Sequence, residues 1–230
     1  MKTLKTATVS LASVFFMAFP SGTTAETWNL TALEWPPFAG SEMSDGGSTT
    51  IGIRDALAKK GIEVTVTYLP WKRAIESVKQ GKFDAAFPAW PEEVTEGLVG
   101  SEAVNHSRIA VIHRVGEEIN FTTVDDLFKN YRVGYVSTYV YPNNIQDAIT
   151  KYPTQAEKSP DETSLMKKLQ RKRMDVVLSD PDIMQYISER EGIDGLVAHK
   201  RILEKKDLVV MFRDSDKGHA MLRVFNEALE

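Results

Sequence analysis

The chain has 230 residues, of which 42% are apolar and 26% are charged, which is typical of a folded protein with one large domain or two small ones. Its formal net charge of −4 argues against a broad basic surface and therefore against nucleic acid as a partner. The chain contains no cysteine, which excludes disulfides and a lipid-anchored N-terminal cysteine.

The first 25 residues, MKTLKTATVSLASVFFMAFPSGTTA, are typical of a secretory signal peptide. Lys2 and Lys5 precede an apolar run from Val9 to Phe19, which is shorter than the roughly 20 residues that span a bilayer. We expect cleavage after Ala25, which leaves 205 residues with a net charge of −6. No later stretch of the sequence is long enough to insert into a membrane. The mature chain is therefore expected to diffuse freely in an enclosed compartment, the periplasm.

Strands alternate with helices in the first part of this mature chain. Polar–apolar alternation and β-branched residues predict the strands, and Gly61 and Gly81 end the helices. In chain order the pattern predicts a strand at 28–33, a helix at 49–60, a strand at 62–69, a helix at 71–80 and a strand at 83–88. Because a helix separates each pair of strands, parallel pairing with right-handed crossovers is expected.

The rhythm changes after Trp90, where an acidic loop leads to a long strand with no helix between them. A second α/β set follows, in which Ser159 is predicted as a helix N-cap with Pro160 in the first turn. The predicted elements are a strand at 107–115, a helix at 123–130, a strand at 131–136, helices at 142–152 and from 159, a strand at 174–180, a helix at 181–190, one or two strands within 194–212 and a helix at 215–230.

Two phrases are built alike: SVKQGKFDAAFPAW (77–90) and KLQRKRMDVVLSD (168–180). In each, the basic end of a helix precedes an aspartate, Asp84 or Asp175, which we expect to bind backbone amides or basic residues. Ligands of open parallel sheets gather at the carboxyl ends of strands, so the strand ends at Trp90 and Asp180 are predicted to face one cleft. A single nine-stranded sheet with a coincidental repeat is the alternative.

The order and spacing of five phrases resemble the periplasmic solute-binding proteins of ABC transporters, polar amino acid type. The phrases are EWPPFAG, PWKRAIESVKQGKFDAAF, SEAV, TTVDDLFKNYRVGYVST and LQRKRMDVVLSD, and the resemblance covers nearly all of residues 27–229. It implies a type II periplasmic-binding fold, in which two α/β lobes with a central cleft are joined by two hinge strands. The implied lobes are 26–112 plus 208–230, and 113–207.

The resemblance also implies ligand-binding residues. The aromatic residue after the paired prolines, Phe38, would stack on the ligand, and the first-lobe strand end would contribute Trp90. In the second lobe, Ser137 and Thr138 would offer hydroxyl groups at a helix start, and Asp180 would bind the ligand's amino group.

One departure from the family pattern concerns the arginine that clamps the ligand carboxylate, about seven residues before the position of Ser101. Val94 occupies that position, and the segment from 85 to 107 contains no lysine or arginine. A buried carboxylate without a paired cation costs several kcal/mol. An ordinary amino acid is therefore disfavoured as a ligand, unless Arg73 or Arg108 extends into the cleft.

Large aromatic residues and isolated charges at loop positions add further candidates. Trp35 and Trp71 lie beside strand ends, where they either join the core or, with Phe38 and Trp90, line a cleft suited to a flat or cationic ligand. Glu34 precedes the prolines and either binds a cationic group or pairs with a lysine.

Two further charges have alternative roles. Arg73 lies in the first turn of its helix, an unfavourable place for a cation, which indicates a ligand contact or an interlobe ion pair. Asp180 is interpreted both as a helix N-cap and as a ligand for an amine, and the two roles are compatible.

No catalytic or metal site is predicted. The four histidines, His106, His113, His199 and His219, have no spacing typical of metal ligands, and no serine lies in a nucleophile-elbow context. The sequence therefore predicts a monomeric periplasmic protein, without cofactor or enzymatic activity, that captures a small polar or cationic solute for the membrane permease of an ABC importer. The alternatives are a non-transport sensor or accessory protein, and a periplasmic dehydratase with Glu34 or Asp180 as the general acid.

Overall fold

A computed structural model describes residues 26–230, so the predicted signal peptide lies outside the described residues. Within that range the chain forms nine strands and seven α-helices. In chain order they are β1 (Glu26–Ala32), α1 (Ser48–Ala58), β2 (Ile62–Tyr68), α2 (Trp71–Lys79), β3 (Ala85–Ala89), β4 (Leu98–Gly100), β5 (Asn105–Arg114), α3 (Val124–Asn130), β6 (Val133–Val136), α4 (Asn143–Lys151), β7 (Ala156–Ser159), α5 (Glu162–Gln170), β8 (Val176–Ser179), α6 (Pro181–Glu191), β9 (Leu196–Arg213) and α7 (Asp216–Leu229). None of these helices is both long and apolar enough to cross a membrane.

The strands form two sheets that share β9. In the first sheet the order is β2-β1-β3-β9-β4, and in the second it is β9-β5-β8-β6-β7. The end of β9 from Val209 to Arg213 pairs with β3 and β4, whereas the part from Leu196 to Leu208 pairs with β5. One continuous hydrogen-bond ladder thus passes through both halves, and β5 and β9 connect them. The residue bounds of the two lobes stay a prediction.

Both halves follow the same plan, as the repeated phrases predict. In the first sheet β1 pairs in parallel with β2 and β3, and in the second sheet β6 pairs in parallel with β7 and β8. Asp84 accepts a hydrogen bond from the backbone N–H of Asn29 at 2.9 Å, and Asp175 accepts one from that of Arg132 at 2.8 Å. The structural role expected for both aspartates is confirmed, because each ties the start of its strand to the neighbouring strand.

The apolar core is divided between the lobes. In the first lobe, Ile53 of α1 and Phe225 of α7 cover one face of the sheet, and Val78 of α2 covers the other. The core of the second lobe includes Trp35 and Trp90, which follow strands of the first sheet. The two lobes therefore contact each other through aromatic side chains.

Three details differ from the sequence-based prediction. Residues Leu98–Gly100, predicted as part of an acidic loop, form the short strand β4, which pairs with β9. Residues 156–159 form the edge strand β7, which was not predicted, and Ser159 is its last residue rather than an N-cap. Asp161 is the N-cap of α5, and its carboxylate accepts a hydrogen bond from the N–H of Ser164 at 2.7 Å. A four-residue polar strand on a sheet edge has too little apolar alternation to be recognised.

Candidate functional site

A cavity of about 1240 Å³ lies between the lobes, at the carboxyl ends of β1, β2, β6 and β7. The first lobe contributes residues at 33–36, 41–42, 68–72, 75, 92–93 and 95, and the second lobe contributes residues at 136, 138–140, 160–163, 183, 187 and 190. A cleft at strand ends is therefore present, whereas Trp90 and Asp180, the two strand ends predicted to face it, meet at a small space beneath it.

The loop that carries Trp35 is held by backbone hydrogen bonds. The N–H of Trp35 donates to the carbonyl of Ala39 at 2.8 Å, and the N–H of Thr49 at the start of α1 donates to the carbonyl of Phe38 at 2.9 Å. Gly47 has a φ of +99°, and a Cβ there would lie 2.6 Å from the Phe38 carbonyl oxygen. Only glycine permits this close approach, which fixes the loop against α1.

Five aromatic residues pack together beneath the cleft and form what we call the aromatic floor: Trp35, Phe38, Trp90, Tyr139 and Tyr141, of which Trp35 and Tyr139 line the main cavity. The Tyr139 ring, from the second lobe, lies 6.0 Å from that of Trp35 and 5.5 Å from that of Trp90. The ring of Phe38 packs behind Trp35, with 4.9 Å between the ring centroids. The spaces beneath the main cavity are small, about 40 and 10 Å³, because these rings fill them.

Polar contacts fix Trp90, whereas Trp35 keeps a free donor. The indole N–H of Trp90 donates to Ser107 Oγ at 2.9 Å, and Lys206 Nζ lies 5.5 Å from the ring centroid. Lys206 is buried and pairs with Glu92. The indole Nε1 of Trp35 is also buried; it lies near the Tyr139 hydroxyl but forms no hydrogen bond of good geometry among residues 26–230. An unsatisfied buried donor of this kind costs about 1–3 kcal/mol.

Glu93 orients two of the tryptophans. Its side chain accepts a hydrogen bond from Trp71 Nε1 at 2.8 Å and one from the backbone N–H of Trp90 at 2.9 Å. Burial raises the pKa of the Glu93 carboxyl, although both hydrogen bonds oppose this shift. Glu93 therefore serves as an acceptor that holds the first-lobe wall together.

Glu162, the first residue of α5, is a buried carboxyl group on the cavity wall. Its side chain is 7% exposed, and Ser179 Oγ donates to Oε2 at 2.8 Å. No ion pair among residues 26–230 includes Glu162. Burial raises its pKa to about 7, because desolvation outweighs the hydrogen bonds that favour the ionised form.

Asp180 is engaged by the protein itself. Its carboxylate accepts hydrogen bonds from the backbone N–H groups of Arg108 and Asp182, and it caps α6. The Arg108 guanidinium lies 3.7 Å from Asp180 Oδ1 and 2.6 Å from Asp182 Oδ1. Desolvation nevertheless raises the pKa of Asp180. The N-cap interpretation is confirmed, and the role in amine binding stays a prediction.

The structure brings some of the predicted site residues together and leaves others aside. Those that line the main cavity are Glu34, Trp35, Trp71 and Thr138, while Trp90 and Asp180 line the small spaces beneath it. The remaining three, Phe38, Arg73 and Ser137, are not among the residues that line these spaces. Glu34 accepts a hydrogen bond from the N–H of Ser41 at 3.0 Å. The ligand-binding role of all nine residues stays a prediction.

Three wall residues were missed: Glu93, Tyr139 and Glu162. Glu93 lies in the acidic loop after β3. Because ligands were expected at strand ends, this position of an acidic residue was a signal that the sequence already offered. Tyr139 follows the predicted hydroxyl pair directly. Glu162 could have been found only by recognising β7, because its carboxyl side chain follows the end of that strand.

The wall of the main cavity is acidic. It includes six carboxyl side chains and two basic ones: Glu34, Glu42, Glu92, Glu93, Asp161 and Glu162, with Lys72 and Arg190. Val94, at the position where the sequence resemblance implies an arginine, instead packs against an apolar cluster of the first lobe. Arg108 is directed at Asp182, and the other predicted cation, Arg73, is not on the wall. Within residues 26–230, no three potential ligands from His, Cys, Asp and Glu are grouped to hold a metal ion.

Comparison with solved structures finds the same architecture in ligand-binding proteins. The GluR0 ligand-binding core in complex with L-glutamate has 17% identity and a TM-score of 0.72, covering 90% of this chain and 91% of that one. A histidine kinase sensor domain with similarity to periplasmic binding proteins has 17% identity and a TM-score of 0.71, with 88% of each chain covered. An ancestral arginine-binding protein bound to arginine has 18% identity and a TM-score of 0.67, covering 88% of this chain and 90% of that one.

This chain has the type II periplasmic-binding fold. The fold consists of two α/β lobes with a central cleft, joined by two strands, as the sequence resemblance implies. No protein-family model matches the chain, and no curated protein is significantly similar to it in sequence. Because the structural relatives have identities of 16–18%, they establish the periplasmic-binding fold alone.

Proposed function

We propose that this protein is a periplasmic solute-binding protein that captures a small polar or cationic solute between its lobes and delivers it to the membrane permease of an ABC importer. The observation that carries the proposal is the interlobe cavity, which has an aromatic floor and an acidic wall. Solute sites of this kind are concave and largely apolar, with a few convergent polar groups.

Electrostatics favour a cation over an anion. Six carboxyl side chains line the cavity against two basic side chains, and the aromatic faces attract cations through their negative π surfaces. The family arginine is replaced by Val94, whose apolar side chain cannot neutralise a carboxylate. A ligand carboxylate in this cavity would therefore meet more repulsion than pairing.

Trp35 supports a bound ligand from the floor. The Trp35 side chain lines all three spaces of the cleft, and its buried Nε1 lies near the Tyr139 hydroxyl without forming a well-aligned hydrogen bond among the described residues. A solute with an acceptor oxygen or nitrogen near this donor would recover part of its desolvation cost.

The test is binding to residues 26–230, measured by thermal shift and then by calorimetry, with a panel of amino acids, polyamines, betaines and small carboxylates. We expect a cationic solute to bind with one site per chain, and Trp71→Ala to weaken the affinity at least tenfold because it removes an aromatic wall residue. Tyr131→Ala, at a half-buried aromatic residue outside the cavity, is the matched control and should leave the affinity unchanged. A flat response to the whole panel would exclude solute capture.

A second candidate function is signal sensing, because a histidine kinase sensor domain shares the fold at a TM-score of 0.71. Uptake of the bound solute separates the two functions. A transport protein increases uptake in cells that produce it, whereas a sensor leaves uptake unchanged.

We propose no enzymatic activity. A dehydratase on this fold needs a general acid that protonates the leaving group of a bound substrate. We expect the solute to be recovered with unchanged mass after prolonged incubation, and a product of lower mass would favour the enzyme.

A further inference from the structure

We infer that Glu162, rather than Asp180, accepts the ammonium group of the solute, and that the solute is an organic cation without a carboxylate, of the polyamine or guanidinoalkylamine class. This inference rests on the proposed function, because it names the ligand group and the residue within the same cleft.

Asp180 has little capacity left for a ligand. One carboxylate oxygen accepts the N–H of Arg108, and the other accepts the N–H of Asp182. The Arg108 guanidinium and the N-terminus of α6 supply positive charge beside it. Asp180 is 3% exposed and is absent from the wall of the main cavity. A ligand ammonium would have to displace protein contacts to bind it.

Glu162 has the opposite environment. It lies on the wall of the main cavity, and its contacts come from neutral hydroxyl groups, Ser179 Oγ at 2.8 Å and the adjacent Tyr139. A buried carboxylate without a counter-charge is costly, and a ligand cation would supply that charge. The Tyr139 ring next to it provides an aromatic face for the same cation.

The charged and titratable groups around Glu162 do not neutralise it. Asp161 lies beside it before the first turn of α5, and Tyr139 and Tyr141 lie in the loop after β6. Asp180 follows β8, Arg108 lies in β5 and Arg190 lies in α6. Arg108 bonds to Asp182, and Arg190 bonds to Glu191 at 3.0 Å and to Thr163 at 3.3 Å. Both guanidinium groups are therefore engaged elsewhere, and the two nearby aspartates repel a second anion.

The same wall disfavours a ligand carboxylate. The basic side chains on the wall, Lys72 and Arg190, are both exposed, whereas Glu162 is buried. A ligand that places an ammonium group at Glu162 and a carboxylate elsewhere would set that carboxylate among the remaining acids. A second amine or a guanidinium at the other end would meet Glu34 or Glu42 instead, because Glu92 already pairs with Lys206.

Binding of an ammonium group at Glu162 should be accompanied by the release of a proton, which can be measured. Because the pKa of Glu162 is about 7, a bound cation must displace a proton at and below neutral pH. Affinity should therefore rise from pH 6 to pH 8, by at most about tenfold per pH unit below the pKa. Calorimetry in two buffers with different ionisation heats would show net proton release at pH 6.

The experiment compares agmatine and spermidine with arginine, which differs from agmatine by one carboxylate. We expect agmatine or spermidine to bind at least tenfold more tightly than arginine, with proton release at pH 6. Glu162→Gln should weaken that binding at least tenfold and abolish its pH dependence. Glu118→Gln, at an exposed acid outside the cavity, should change the affinity less than threefold.

The outcomes separate this inference from the proposed function. Tighter binding of arginine than of agmatine, or affinity for the cations without proton release in the wild-type protein, would overturn the inference and leave solute capture intact. Equal affinities of Glu162→Gln and the wild type for the cations would also overturn the inference and leave solute capture intact. The wild-type measurements need no variant, so they hold even if Glu162→Gln folds poorly. Absence of binding by every solute class would refute both.

Discussion

Single buried carboxyl groups determine how the cleft responds to pH. The ordinary pKa of the Glu162 side chain is 4.5, and burial raises it to about 7 in the folded protein. Between these values the folded state binds more protons than the unfolded state, so the free energy of unfolding falls as the pH rises. The contribution of Glu162 to stability is fully present below pH 4.5 and is lost as the pH rises through about 7.

Glu162→Gln removes this titration and keeps a neutral side chain of the same shape. Relative to the wild type, the variant should gain on the order of 2–3 kcal/mol of unfolding free energy between pH 5 and pH 8, at about 1.4 kcal/mol per unit of pKa shift. Urea denaturation of both proteins at several pH values measures the difference. A constant difference across that range would contradict the pKa assignment.

Glu93 is predicted to stabilise the tryptophan wall. Glu93→Ala leaves the indole N–H of Trp71 and the backbone N–H of Trp90 without their acceptor. We expect a loss of about 2 kcal/mol in unfolding free energy, since an unsatisfied buried donor costs about 1–3 kcal/mol. The near-ultraviolet circular dichroism of the tryptophans should also change. Glu42→Ala serves as the control, and an equal loss in both variants would disprove the specific role of Glu93.

Positions beside strand ends were visible in the sequence, whereas their contacts across the fold were not. Trp35 and Trp71 were predicted from their positions beside strand ends, and both lie on the wall of the cavity. The contacts of Asp180 with Arg108 depend on pairing between β5 and β8, residues far apart in the chain. Such long-range contacts leave no local pattern in the sequence. The sequence could therefore predict that Asp180 caps a helix, but it could not predict the contact with the Arg108 guanidinium.

Among the elements, α5 offers the clearest test, because the sequence placed its N-cap two residues too early. Asp161→Ala removes the side-chain oxygen that accepts the N–H of Ser164 and should cost about 1 kcal/mol of unfolding free energy. Ser159→Ala should change stability by less than about 0.5 kcal/mol, because the buried Ser159 hydroxyl has no partner among the described residues. Urea denaturation distinguishes the two, and a reversed order would restore Ser159 as the cap.

Most elements could be predicted because their patterns are local. The strand–helix alternation predicted the parallel pairs of the first sheet, and Gly61 and Gly81 do follow the ends of α1 and α2 with positive φ. The single long strand β9 could not be distinguished from two shorter strands, because its middle from Lys200 to Lys206 is polar and mostly exposed. Its continuity follows from pairing with β5 and β3, which is a property of the tertiary fold.

At the scale of the whole molecule, Tyr139 connects the lobes. Its ring from the second lobe packs on Trp35 and Trp90 of the first. Tyr139→Ala should cost about 2–3 kcal/mol of unfolding free energy, below the range for a fully buried aromatic residue because Tyr139 is half-buried. It should also increase the radius of gyration in X-ray scattering, because it removes the ring that packs on both tryptophans and so favours hinge opening. Tyr131→Ala is the control, and an unchanged radius in Tyr139→Ala would show that this contact does not set the lobe arrangement.

Native mass spectrometry of residues 26–230, purified without denaturation, is the sharpest test of solute capture, because a tight binding site retains its solute. We expect a one-to-one complex with a small organic cation, and the added mass should disappear after denaturing dialysis and refolding. A spectrum with only the unliganded mass, together with no thermal shift for any solute of the panel, would contradict solute capture.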